Sequence, residues 1–122
     1  MATKSDTKIH TKESCDGLIK PVRDALEVLN GKWKLPILGA LHLGDSKRFK
    51  EISRELNGIT DKVLSKELKE LEMNKLIERK VYDTFPPTVE YSITAHGKSL
   101  DNVVIELSKW GAVHRKKIFD KE

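Results

Sequence analysis

A mainly α-helical fold carrying one small β-hairpin is predicted by three features of the sequence. Between Thr60 and Asn74, Leu64, Leu68 and Leu71 recur at helical spacing, and so do Lys62, Lys66 and Lys69, the two stripes lying about 160–200° apart around the helix. Just before it, a shorter apolar-periodic segment runs into Asn57-Gly58-Ile59, so a helix, a glycine turn and a second helix follow one another. Just after it come two runs of strand character separated by Phe85-Pro86-Pro87. One face of the second helix is built to be buried, the opposite face to meet negative charge, and a hairpin stands directly behind. That is the layout of a winged helix-turn-helix that reads DNA. The expectation is therefore a mainly α fold with a β-hairpin wing, extended by a C-terminal helix that serves dimerisation.

The 122 residues suffice for one domain with one modest core. A hydrophobic fraction of 38% beside 34% charged residues describes a globular chain with a polar surface. The longest apolar run is Val103-Val104-Ile105, far short of the ~20 residues that span a bilayer, and Met1 to Lys12 lacks the apolar segment and cleavage pattern of an export signal. A cytoplasmic protein with no membrane partner is expected. The net charge of +4 permits an anionic partner without requiring one, so the position of the cations carries the argument. A single cysteine, Cys15, excludes an intramolecular disulfide and a cysteine-clustered zinc site.

Residues 1–14 are polar, lysine-rich and aperiodic, and read as a flexible tail. From Pro21, which suits a first turn, Val22, Ala25, Leu26 and Leu29 mark the first helix, closed by Asn30-Gly31. Trp33, Ile37, Leu38 and Leu41 mark a second helix with Pro36 in its first turn and Gly44 as its stop. Lys47-Arg48-Phe49 is short enough for a single edge pairing, and Phe49, Ile52 and Leu56 form the inner face of a third helix. Thr60 is the N-cap of the fourth, and Asn74, tolerant of a left-handed backbone, its end. Strands are expected over Leu76–Asp83 and Thr88–Thr94, the second showing clear alternation of Val89, Tyr91 and Ile93 with polar neighbours. A last helix, capped by Thr94, starts near Ala95, and its apolar positions Leu100, Val103, Val104, Leu107, Trp110 and Gly111 continue for about five turns. So long an apolar stripe would be costly in water, and a partner helix, most simply from a second copy, is expected to cover it.

The ordered set Gly31-Lys32-Trp33, Ile37-Leu38, Lys47-Arg48-Phe49, Gly58-Ile59, Val63-Leu64, Leu68-Lys69-Glu70-Leu71-Glu72, Leu76-Ile77-Glu78-Arg79, Pro86-Pro87-Thr88-Val89-Glu90-Tyr91-Ser92-Ile93-Thr94 and Gly97 resembles the HxlR-type bacterial transcription regulators, a winged-helix group related to MarR-like repressors. The resemblance spans residues 15–111, with 112–122 left as the helix end and a basic tail. It implies a homodimeric regulator whose dimer is built from the first and last helices, with Val22 and Leu26 joining Leu100, Val103, Val104, Leu107 and Trp110 at the interface. Some relatives resemble redox sensors that use a cysteine just ahead of the first helix, where Cys15 stands. Two departures matter: Asp16 follows Cys15 where the family often has proline, an anion that opposes thiolate formation, and Lys75 replaces the glycine usual after the recognition helix.

The candidate DNA-binding residues are Thr60, Lys62, Ser65, Lys66 and Lys69 on the recognition helix, the first-half residues Lys62, Ser65 and Lys66 being placed to read base edges or phosphates. Arg48, Arg79 and Lys80 are candidate phosphate clamps. The plain alternative for the lysines is a solvated face paired with Glu67 and Glu70 on its flank. The wing tip has no Arg or Lys, so the wing is expected to position the protein more than to read sequence. Cys15 reads either as a sensor or as an ordinary half-buried thiol. His10, His42, His96 and His114 show no ligand spacing, Trp33 and Trp110 suit the core or an interface, and Arg115-Lys116-Lys117 suits a solvated helix end.

The function expected is sequence-specific binding of a palindromic double-stranded DNA operator by a homodimer, as a regulator and most often a repressor. The alternative is a winged-helix module that docks a polypeptide. No enzyme signature, metal set or cofactor motif is present in the sequence, and no residue points to a particular small-molecule effector.

Overall fold

The computed structural model describes residues 12–120. Its elements are α1 (Lys12–Val28), α2 (Lys34–Leu41), α3 (Phe49–Glu55), α4 (Asp61–Met73), β1 (Ile77–Tyr82), β2 (Thr88–Ile93), a single helical turn α5 (Ala95–Lys98), and α6 (Asp101–Phe119). No described helix is long and apolar enough to cross a membrane. The tail expected over residues 1–14 lies outside the described residues up to residue 11, and α1 begins at the next one.

The core is made by α2, α3, α4 and the hairpin base. Ile37, Leu38 and Leu41 of α2, Ile52 and Leu56 from α3 and its end, Leu64, Leu68 and Leu71 of α4, and Leu76 and Ile77 entering β1 are buried together. Each set follows the period of its element, which is why these short segments fold only against one another. The helix-turn-helix is α3, a turn through Asn57 and Gly58, and α4; Gly58 takes φ +95°, a value that favours glycine. Strands β1 and β2 pair antiparallel from Ile77 opposite Ile93 to Tyr82 opposite Thr88. The expected single pairing at Lys47 is present: its N–H and C=O both bond Tyr91, at 2.9 and 2.8 Å.

Three boundaries differ from expectation. The first helix starts at Lys12, not Pro21, and runs through Pro21. An interior proline loses one hydrogen bond and crowds the carbonyl four residues earlier; that residue is Gly17, and the apolar stripe Cys15, Leu18, Ile19, Val22, Leu26, Leu29 keeps helical spacing across it. Cys15 therefore lies inside α1 rather than ahead of it. The last helix, expected to run on from Ala95 without a break, is split at Ser99-Leu100 into α5 and α6. The split follows from docking: a β-carbon on Gly97 would lie 2.3 Å from the Leu76 carbonyl oxygen, so α5 is pressed against the hairpin base while α6 leaves it.

At the end of α4 the left-handed residue is Lys75 (φ 65°), not Asn74. The Leu76 N–H bonds the Leu71 carbonyl at 3.0 Å and the Lys75 N–H bonds that of Glu72 at 2.9 Å, the paired bonds of a Schellman motif, with Leu71 and Leu76 both buried in the one apolar core. Counting back from those bonds places the left-handed position at 75 whatever residue stands there. A lysine pays for that backbone with steric strain that glycine avoids. Lys75→Gly is expected to raise unfolding stability by about 1 kcal/mol, and Lys75→Val to lower it, in urea titrations at fixed protein concentration.

Candidate nucleic-acid interface

The candidate surface is the outer face of α4, and its placement begins at Thr60. The threonine takes an extended backbone and its Oγ1 accepts the Val63 N–H at 3.2 Å, so the helix starts where the sequence predicts. Asp61 in the first turn complements the helix dipole. With the start fixed, Leu64, Leu68 and Leu71 point inward and Lys62, Ser65, Lys66 and Lys69 stand exposed on the opposite side. The structure thus brings those four expected residues onto one face, with Thr60 exposed at its head.

Arg48 is exposed at the start of α3, where its backbone N–H is held by Glu51 Oε1 at 2.8 Å. Arg79 and Lys80 are exposed on successive positions of β1, so they lie on opposite faces of the hairpin. Lys80 reaches over the Tyr82 ring on its own face, 5.9 Å from the centroid. Among the described residues Arg48, Lys62, Lys69, Arg79 and Lys80 form no ion pair, so these cations keep their charge open to an external anion.

What the sequence analysis missed is the group holding α4 from below. Lys34, at the start of α2, is 2% exposed and donates hydrogen bonds from Nζ to Glu67 Oε1 at 2.5 Å, Glu70 Oε1 at 2.7 Å and Asn30 Oδ1 at 3.2 Å. Glu67, expected on the flank of the lysine face, is instead buried. Glu70 does reach a stripe lysine, Lys66, at 3.3 Å, so one carboxylate joins the buried ammonium to the outer face. Burial, the largest single influence, would lower the Lys34 pKa, but the hydrogen bonds it donates to Glu67 and Glu70 and the charge attraction of both carboxylates together outweigh that and raise it above its ordinary value. The hydrogen bonds from Lys34 and Lys66 hold the Glu70 carboxyl below its ordinary value. Spacing could have revealed both partners. Lys34 stands three, four and seven residues ahead of Ile37, Leu38 and Leu41, and Glu67 falls three after Leu64 and four before Leu71, so each occupies an inward position.

Away from this surface, α1 and α6 expose apolar side chains. Val22 and Leu26 on α1, and Val103, Val104, Leu107 and Trp110 on α6, are all exposed, and no residue of α6 is buried. Leu100, also expected at a dimer interface, is half-buried against the core of its own chain. Cys15 is half-buried and shares the apolar stripe of α1. A cavity of about 330 Å³ lies between α2 and the start of α6, lined by residues that include Leu35, Leu38, Leu100 and Val104. Among the described residues no cluster of His, Cys, Asp and Glu could hold a metal ion.

A helix-turn-helix whose second helix turns a cationic face outward, followed directly by an antiparallel hairpin, defines a winged helix-turn-helix protein of the DNA-binding class. The chain belongs to the HxlR-like helix-turn-helix family, whose pattern matches residues 28–119. It is 42% identical over 98 residues to the HTH-type transcriptional regulator YtcD of Bacillus subtilis, an overlap covering 80% of this chain and 77% of that protein. The solved structure of the redox regulator HypR in its reduced form is similar with a TM-score of 0.73 at 37% identity, covering 83% of this chain and 99% of the other. The transcriptional regulator YodB of B. subtilis, in its reduced form, is similar with a TM-score of 0.67 at 30% identity, covering 93% and 97%. The protein is accordingly a transcriptional regulator of the HTH type.

Lys34→Met leaves the Glu67 carboxylate buried without its cation and is expected to cost about 3–5 kcal/mol, whereas Lys34→Met with Glu67→Leu, an apolar replacement of both, is expected to cost far less. Urea unfolding at fixed protein concentration reads both. Because the Glu70 pKa is lowered on folding, its contribution is complete above the ordinary value of 4.5 and is lost as pH falls through the lower folded value. The raised Lys34 pKa acts at the other end: that contribution is complete below 10.5 and is lost as pH rises through the higher folded value. The stability difference between wild type and Glu70→Gln is therefore expected to be flat from about pH 5 to pH 10 and to shrink in acid.

Proposed function

We propose that the protein is a homodimeric, sequence-specific regulator that binds a palindromic operator and represses transcription from it. The observation that carries the reading is the outer face of α4: Lys62, Ser65, Lys66 and Lys69 stand together and exposed while the opposite face is fixed in the core. Lys62, Ser65 and Lys66 lie nearest the helix N-terminus and contact base edges and phosphates in the major groove, with Thr60 at the head of the helix and Lys69 farther along. Arg48, Arg79 and Lys80 hold phosphates on either side.

Dimerisation rests on the apolar stripes of α1 and α6, which the chain's own core leaves exposed and a second copy would cover. The working unit covers 15–111, and the remaining turns of α6 lengthen the dimer helix. Redox control acts through Cys15. The thiol shares its stripe with Val22 and Leu26, so a bulky or polar adduct on it enters the dimer interface and alters the spacing of the two recognition helices. That HypR is a redox regulator supports this reading.

Selection of genomic fragments by purified protein, at about 50 and 200 mM salt, tests the proposal. One enriched palindrome with half-sites about a helical turn apart is expected, with affinity falling ~10³–10⁵ between the two salts for ~6–10 neutralised phosphates. Lys62→Ala with Lys66→Ala should abolish the enrichment, and light scattering should give a dimer at micromolar concentration. Uniform binding with no enriched site would instead favour a polypeptide-docking module. Loss of the enriched site after diamide treatment, absent in Cys15→Ser, would place the redox response at Cys15.

A further inference from the structure

The wing ends in a group that folding does not explain. Phe85 at the hairpin tip is 101% exposed, so its ring meets nothing in its own chain. Leaving such a side chain in water forgoes the stabilisation that burial of an aromatic ring brings. Its surroundings are nevertheless ordered. The Thr84 hydroxyl lies 2.7 Å from the Pro86 carbonyl oxygen and 2.9 Å from the Thr88 hydroxyl, closing the tip, and Pro86 and Pro87 stiffen the returning chain. A ring presented on a closed, stiff loop loses little freedom on docking.

Chemistry narrows what the tip can meet. Residues 83–87 contain one ionisable side chain, Asp83, and no cation, so the tip has no group to clamp a phosphate. The cations stand farther back on β1, Arg79 and Lys80 on its two faces. Geometry narrows it further. The hairpin base is tied to the end of α4 by the bond from Leu76 to Leu71, and the strand of six residues carries the tip ~20 Å from that base. Half a helical turn of DNA, ~17 Å, separates a major groove from the adjacent minor groove. A tip ~20 Å from the base is long enough to span that separation from an α4 seated in the major groove, with Arg79 and Lys80 set back along the strand.

We propose that Phe85 is an apolar wedge that enters the minor groove beside each half-site, packing on base edges and partly unstacking one step. This rests on the DNA-binding reading above and adds to it a specificity determinant. A wedge reads deformability rather than hydrogen-bond pattern, so sites with a flexible pyrimidine–purine step half a turn from the half-site centre are preferred.

The test uses the full-length protein and a duplex carrying the site enriched in the genomic selection, with 2-aminopurine replacing adenine at the flanking minor-groove step. Wild type should raise the 2-aminopurine fluorescence. Phe85→Ala, with an unchanged circular dichroism spectrum, should abolish that rise and bind at least about tenfold more weakly, with the slope of log affinity against log salt unchanged because no phosphate contact is lost. Phe85→Ala matching wild type in affinity or in fluorescence, or a changed salt slope, overturns the wedge while leaving the DNA-binding reading intact. Failure of wild type to enrich any site overturns both.

Discussion

A lysine ammonium enclosed between two carboxylates joins the parts of this fold that have least else in common. Lys34 opens α2, Glu67 and Glu70 belong to α4, and Asn30 lies in the connection from α1, so three segments meet at one nitrogen. Leucines alone would bury the inner face of α4 but would tolerate small rotations about the helix axis, because apolar contact is not directional. Hydrogen bonds of 2.5 and 2.7 Å do not. The pair therefore fixes the fine rotation of α4 about its axis, and the second oxygen of Glu70 carries that restraint to Lys66. A buried charge network is weak as a source of stability but well suited to selecting one arrangement among several.

Much of this was legible in the residues because it depends on local rules. The opposed leucine and lysine stripes, the Thr60 cap, the Lys47 pairing with Tyr91 and the alternation of β2 are each decided within a few positions. The burial of Lys34 and Glu67 is hidden by their charge, although both sit in register with the apolar stripes around them. Pro21 marked a boundary in the sequence because an interior proline is costly. The helix continues through it because the apolar stripe on either side is unbroken. Asn74 suited the left-handed position by preference, yet the hydrogen bonds of the motif assign it to Lys75.

The described chain buries its apolar residues unevenly. Everything from α2 to the hairpin base packs around one core, while α1 and α6 carry apolar stripes that this core leaves in water. On α6 the residues spaced at Val103, Leu107, Trp110 and His114 point one way, with Trp110 and His114 stacked at 4.9 Å, while Asp101 and Ile105 line the cavity against α2 on another side. The two sides serve different neighbours.

Gly97 has a mechanical meaning beyond fixing where α5 ends. With no β-carbon, it lets the turn lie against the Leu76 carbonyl and the Ile93 side chain. Thr94, whose hydroxyl lies 2.7 Å from the Lys75 carbonyl oxygen and accepts the Gly97 N–H at 2.9 Å, ties the same turn to the end of α4. Ser99 then bonds back to Ala95 and His96, so the step into α6 is closed as well. Hairpin base, α5 and the root of α6 are in effect one casting, with α6 as the handle and the wing as the blade. Turning the handle by about 5° sweeps the end of a ~20 Å blade through roughly 2 Å, a large fraction of a minor-groove width of about 6 Å.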